Sequence, residues 1–182
     1  MRAMIKGLDP KTLVRLRDHL LDTGGRKSIF VAGAEAHEQA HPLEGDEEAK
    51  AFFDAVCEAM YLMISSDGKI EDSERTVIKG AIRELTANSM RSAAIEQLVS
   101  EMDARLKAEG QEKRLDAVCA VLVERVEAAE AGFVLAAAVA FADDEIADAE
   151  NDILNTLAEK LHISTERAEA LLDELEADGA AS

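Results

Sequence analysis

The chain has to build its core almost entirely from aliphatic side chains. Hydrophobic residues make up 48% of the 182 residues, yet only 3% are aromatic and there is no tryptophan. Alanine, leucine and glutamate dominate the stretches between glycines, and the whole chain contains two prolines. This composition is typical of long helices. We therefore expect an all-α protein with essentially no sheet.

The apolar spacing divides the chain into seven or eight helices of a single bundle. Asp9 and Pro10 begin a first helix, and an irregular stretch follows it, so residues 1–45 are expected to form an N-terminal helix and a connector. Residues 46–182 are expected to form the main helical domain. Within that domain Gly110 is expected to end one helix and Gly132 to break another, and Ser164 is expected to cap the last helix.

The net charge of −18 limits the classes of partner. Such a charge repels nucleic acids and anionic lipid surfaces and attracts cations or basic proteins. The longest apolar run, Phe133 to Ala142, is about half of the ~20 residues that a membrane span needs. We expect a cytoplasmic protein that binds no nucleic acid and does not insert into a membrane. Cys57 and Cys119 lie on apolar helix faces and are expected to be structural.

Two segments of the chain match one another at a fixed offset. Asp67–Glu74 aligns with Asp143–Glu150, and Asp, Ile, Asp and Glu fall in the same places. The apolar positions of the following helices match as well, which indicates a duplicated helical hairpin. We expect the two hairpins to pack about a pseudo-two-fold axis.

This repeated pattern resembles the TerB family of tellurite-resistance proteins. The resemblance consists of an apolar helix, an Asp-Gly-x-Ile turn at Asp67 to Ile70, and a glutamate four positions later, given twice. It implies a duplicated all-helical fold, acidic turns that bind metal ions, and a role in bacterial chemical-stress and tellurite resistance. The second copy departs from the pattern, because Asp144 replaces the glycine and Ala147 stands where a capping Ser or Asp is expected.

The acidic turns are candidate cation sites. Their carboxylates supply the hard oxygen ligands that Ca²⁺ or Mg²⁺ prefers, and they would equally suit a basic protein partner. A true EF-hand is excluded, since Met63 stands at the first ligand position. The seven candidate ligands are Asp67, Asp72, Glu74, Asp143, Asp144, Asp148 and Glu150.

Helix capping explains the same residues without a ligand. Glu74 and Glu150 lie where the glutamate of a capping box reaches back to a backbone N–H. Asp72 and Asp148 lie where a negative charge favours the positive end of the helix dipole. Capping alone, and capping combined with binding, both stay open at this point.

Two further hypotheses come from other classes of protein. His37-Glu38-Gln39-Ala40-His41 matches the H-E-x-x-H pattern of zinc metalloproteases, but Pro42 directly follows the second histidine and favours an incidental pair. A metal-free scaffold for protein–protein interaction, with an apolar groove covered by the Asp9–Asp22 helix, is the other alternative. We expect a binding module and no enzyme.

Overall fold

The computed structural model describes residues 47–66, 70–86, 90–140 and 148–180. These residues form a bundle of seven helices and contain no strand, which confirms the all-α prediction. The expected N-terminal helix and connector, residues 1–45, lie outside the described part of the chain. The helices are α1 (Glu47–Ile64), α2 (Asp72–Leu85), α3 (Ser92–Glu109), α4 (Gln111–Leu122), α5 (Val126–Ala140), α6 (Asp148–Lys160) and α7 (Thr165–Ala180).

Helix α1 lies at the centre of the bundle. Every residue from Ala55 to Ile64 is buried, and the helix packs most extensively against α5 and α4 while it also touches α2, α3 and α6. Helix α5 is buried over Ala131 to Ala140 in the same way. Many of its inward positions are alanines, whose short side chains let the two helix axes approach closely. A helix that is apolar all round has to be enclosed by others, and the remaining helices do this.

The surrounding helices have one apolar face each. On α2 the buried residues Ile78, Ala81, Ile82 and Leu85 follow the helical spacing and face α1 and α3. Apolar spacing also predicts an inward Val77, but this side chain is 39% exposed. Helices α6 and α7 pack against α5 on the other side of the bundle. None of the described helices has the length and apolar character of a membrane span.

Two of the predicted helix ends are confirmed by their backbone geometry. Gly110 ends α3 with φ of +82°, a conformation that side-chain-bearing residues rarely adopt. Its N–H donates to the carbonyl of Leu106 at 2.8 Å. Ser164 precedes α7, and its Oγ accepts a hydrogen bond from the N–H of Arg167 at 3.2 Å. This is the N-cap that the sequence predicts.

The prediction that Gly132 breaks a helix is wrong. The break between α4 and α5 falls at residues 123–125, and Gly132 lies inside α5. A Cβ atom at this position would meet Leu122 Cδ1 at 2.6 Å. Glycine is present because the end of α4 packs directly on the backbone of α5, and not because the chain turns there.

The duplicated hairpin expected from the sequence includes residues 67–69 and 141–147, which lie outside the described residues. The duplication and its pseudo-two-fold arrangement therefore stay predictions.

Two glycines inside helices should respond oppositely to alanine. Gly132→Ala should destabilise the protein, because displacing the buried Leu122 costs about 1–3 kcal/mol and outweighs the improved helix propensity. Gly80→Ala, in the middle of α2 with open space around its Cβ position, should stabilise by up to about 1 kcal/mol. Urea unfolding of both variants measures the difference. Equal effects would show that Leu122 does not restrict position 132.

Candidate functional site

Part of the first acidic turn caps the start of α2. The backbone N–H of Glu71 donates a hydrogen bond to Glu74 Oε2 at 2.7 Å, which confirms the predicted capping role of Glu74. Asp72 lies exposed in the first turn of α2, where its charge favours the helix dipole. Asp67 lies outside the described residues.

The second acidic turn is described only from the start of α6 onward. Asp148 and Glu150 lie in the first turn of this helix, the former exposed and the latter half-buried. Asp143 and Asp144 fall outside the described ranges, as do His37 and His41. In the described part of the chain, no group of three or more His, Cys, Asp or Glu side chains is placed to hold a metal ion. Cation binding at the turns therefore stays a prediction.

A cleft of about 510 Å³ opens beside the first acidic turn. It lies between the end of α1, the start of α2, the last turns of α3 and the start of α4. Ile70 and Leu106 give it an apolar part, and charged and polar side chains line the remainder. Its described lining consists of Tyr61, Ser65, Ile70, Arg75, Asp103, Leu106, Lys107, Gly110 and Gln111.

A network of charged and polar groups centres on Asp103 in this cleft. The Tyr61 hydroxyl donates to Asp103 Oδ1 at 3.0 Å, and Lys107 Nζ donates to Oδ2 at 2.7 Å. Arg75 Nη2 lies 3.7 Å from the same Oδ2. The hydrogen bond from Lys107, helped by those groups, lowers the pKa of Asp103. Burial, followed by the hydrogen bond to Asp103, raises the pKa of Tyr61 well above its ordinary value.

A buried ion pair joins α1, α3 and α4, three of the helices that border the cleft. Glu58, 2% exposed in the centre of α1, accepts hydrogen bonds from Arg114 Nε at 2.7 Å and Arg114 Nη2 at 2.9 Å. Arg105 Nη1 of α3 lies 3.4 Å from Glu58 Oε2, and Arg114 also donates to Glu109 at 3.2 Å. The hydrogen bonds with Glu58 raise the pKa of the Arg114 guanidinium. This bidentate pair ties α4 to α1.

The end of α1 is attached to α4 by a second contact. Gln111 Nε2 donates to the carbonyl oxygen of Leu62 at 3.0 Å, and the Ser65 hydroxyl donates to the same oxygen at 3.3 Å. This carbonyl is one of those that a helix leaves without an intrahelical partner at its end. The two side chains therefore both satisfy the end of α1 and form one wall of the cleft.

The cleft residues were missed by reasoning from the sequence. Glu58 carried a usable signal, because it stands inside the apolar run from Phe52 to Ile64 and a charge in a fully buried helix needs a partner. Nothing in the sequence points to Arg114 as that partner, 56 positions away. Tyr61 and Asp103 are 42 positions apart and carry no shared motif.

The two cysteines are buried, as predicted. Cys57 is 0% exposed and Cys119 is 3% exposed, and neither forms a disulfide. Burial raises the pKa of Cys57, and raises that of Cys119 to about 11. Both thiols therefore stay protonated near neutral pH and serve as small core side chains.

The α6–α7 hairpin presents a strongly acidic surface. Residues 143–178 contain thirteen Asp and Glu but only two Lys and Arg. Both cations are held by carboxylates of the neighbouring helices: Arg167 donates to both oxygens of Glu130 at 2.7 Å, and Lys160 pairs with Asp116. Among the side chains that the structure describes on these two helices, the exposed carboxylates are Asp148, Asp152, Glu159, Glu166, Glu169, Asp173 and Glu174.

Removing the carboxylate of the buried pair should destabilise the fold. Glu58→Gln leaves the guanidinium of Arg114 without its bidentate partner, and breaking a buried pair costs about 3–5 kcal/mol. We expect the low end of that range, since Arg114 keeps 13% exposure to water. Asp116→Asn removes an exposed pair with Lys160 and is the control, with a much smaller loss. Urea unfolding compares them, and similar losses would mean that the buried pair stabilises no more than a surface one.

The ionisation of Tyr61 should depend on Asp103. Tyr61 is the only tyrosine, so ultraviolet absorbance during an alkaline titration reports on this hydroxyl alone. Asp103→Asn should lower the pKa of Tyr61 but leave it raised, because burial is the larger cause. In the parent, folding stability should decline as the pH rises above about 10, where the unfolded chain loses the phenolic proton first. An unchanged midpoint in the variant, with circular dichroism confirming the folded state, would contradict the assigned hydrogen bond.

Comparison of the chain with protein families, with curated proteins and with solved structures finds no match. The TerB resemblance therefore stays a prediction from the sequence.

Proposed function

We propose that the protein is a non-catalytic, cytoplasmic binding module that docks a basic protein partner on the acidic surface of the α6–α7 hairpin. The support is the distribution of charge over the described residues. A surface of one sign attracts a partner of the other sign and accelerates their encounter. The TerB resemblance suggests a setting in tellurite or chemical-stress resistance.

The arrangement of Arg167 and Lys160 carries the proposal. These are the only two Lys or Arg residues within 143–178, and both are oriented toward carboxylates of α4 and α5. Lys160 therefore neutralises Asp116, and Arg167 neutralises chiefly Glu130, although Arg167 Nη1 also lies 3.8 Å from Glu174 Oε1 of its own helix. Crowded carboxylates repel one another, and a basic partner relieves that repulsion.

A basic protein suits this surface better than a single divalent cation. The exposed carboxylates are spread along two helices of 13 and 16 residues, whereas Ca²⁺ or Mg²⁺ needs six or more oxygens around one point. At the first turn, Glu74 already accepts the hydrogen bond that caps α2. Cation binding by the acidic turns is the alternative.

Neutralising the hairpin should weaken binding of a basic probe. The triple variant Glu159→Gln, Glu169→Gln, Asp173→Asn removes three exposed charges from α6 and α7. We expect it to weaken the affinity for an oligolysine peptide by about tenfold at low salt, since the lost contacts are ionic. Calorimetric titration measures the affinity, and added salt should weaken binding by the parent.

A control variant with the same change in net charge distinguishes binding at the hairpin surface from attraction by the net charge of the whole protein. Glu101→Gln, Glu112→Gln and Glu124→Gln remove three exposed charges from α3, α4 and the turn after α4. This variant should bind the peptide almost as well as the parent. Equal weakening in the two variants would refute a docking surface on the hairpin.

Titration with Ca²⁺ and Mg²⁺ tests the alternative. Heat of binding at millimolar concentration that is lost in Asp67→Asn or Asp143→Asn would identify the acidic turns as metal sites. In that case Glu74→Gln should also lose a ligand, while it keeps most of the capping stabilisation of about 1 kcal/mol.

A further inference from the structure

We propose that the cleft beside the first acidic turn binds a small organic anion, a carboxylate with a short apolar body. Arg75 and Lys107 would hold the carboxylate, and Ile70 and Leu106 would contact the apolar body. This site is separate from the hairpin surface and independent of the proposed function.

The charge balance of the cleft is opposite to that of the protein. The protein has a net charge of −18, but the charged residues among the described lining are two cations, Arg75 and Lys107, and one carboxylate, Asp103. The two cations come from different helices, α2 and α3, and converge on that carboxylate. The described lining therefore carries one more positive than negative charge at neutral pH.

The hydrogen-bonding capacity of the lining also favours an anion. Both oxygens of Asp103 already interact with protein donors, Tyr61 on Oδ1 and Lys107 on Oδ2. Arg75 approaches Asp103 only to 3.7 Å, longer than a hydrogen bond, and a guanidinium carries five N–H donors. The described walls thus offer a ligand the N–H donors of Arg75 that Asp103 does not engage by a hydrogen bond. A cation entering the cleft would meet repulsion from both basic side chains and find the carboxylate already neutralised.

The size and the apolar part of the cleft limit the ligand further. A volume of about 510 Å³ lies within the usual range for small-molecule sites. Ile70 and Leu106 are partly buried against the core, so an aliphatic group placed on them would lose contact with water. Inorganic anions such as phosphate would leave this apolar part unfilled. A carboxylate that carries a few methylene groups can contact both the basic side chains and the apolar part of the cleft.

The single tyrosine provides a built-in reporter of binding. Tyr61 lines the cleft and the chain has no tryptophan, so the intrinsic fluorescence comes from this residue. Its hydroxyl donates to Asp103, and an anion that draws Lys107 or Arg75 away from Asp103 changes this environment. Fluorescence of the protein therefore follows occupancy of the cleft.

The test is a titration of the full chain with hexanoate, at constant ionic strength set by chloride. We expect a saturable change in Tyr61 fluorescence at millimolar concentration, with matching heat in calorimetry. Acetate should bind about tenfold more weakly or worse, because it lacks the apolar body. Hexylamine, with the same apolar body and the opposite charge, should give no saturable change.

Variants locate the binding. Lys107→Gln and Arg75→Gln should each weaken hexanoate binding about tenfold, because each removes one charged partner. Lys107 is 73% exposed, so its replacement leaves the fold intact. Lys79→Gln is the matched control: it removes a cation from α2 that pairs with Glu96 outside the cleft, and it should bind hexanoate like the parent.

Three results would overturn the proposal. The first is the absence of saturable binding of hexanoate by both fluorescence and calorimetry. The second is unchanged affinity in both Lys107→Gln and Arg75→Gln, which would place the ligand elsewhere. The third is tighter binding of inorganic phosphate or hexylamine than of hexanoate, which would assign the cleft to another class of ligand.

Discussion

The enclosure of α1 on every side is the constraint on which the rest of the structure depends. Its second half, Ala55 to Ile64, has no exposed residue, so every polar group there needs a partner inside the protein. Helix α5 meets the same requirement with alanines and a glycine against α1 and α4. The outer helices then need only one apolar face each, and their outer faces are left to carry charge.

Because this part of α1 is buried, Glu58 requires specific partners on the neighbouring helices. A carboxylate at 2% exposure is costly unless it is paired, and the pairing with Arg114 and Arg105 positions α4 and α3 against α1. The side chains one turn further along α1 then face the cleft. The ion pair therefore helps to hold together α1 and α3, the helices that carry Tyr61 and Asp103.

The protein separates its charges in space. The hairpin of α6 and α7 directs its two cations toward neighbouring helices and exposes its carboxylates. The cleft between α1, α2, α3 and α4 brings Arg75 and Lys107 together around one carboxylate. An acidic surface and a cleft whose described lining carries a net positive charge thus coexist in one bundle. The negative net charge of the protein agrees with the acidic surface but gives no indication of the positively charged lining of the cleft.

The sequence by itself determined the fold class, the helix end at Gly110 and the local caps. These follow from contacts within a few residues, such as the hydrogen bond between Glu71 and Glu74 or the cap at Ser164, and from apolar spacing within one helix. It failed where a residue acts through a distant neighbour. Gly132 suggests a helix break because glycine is common both where a chain turns and where two helices pack closely. Only the position of Leu122 shows that close packing is the reason here. The cleft and the Glu58–Arg114 pair were decided by tertiary structure alone. Tyr61 and Asp103 in the cleft are 42 positions apart, and Glu58 and Arg114 are 56 positions apart. Helix packing determines which of the chain's many charged side chains meet.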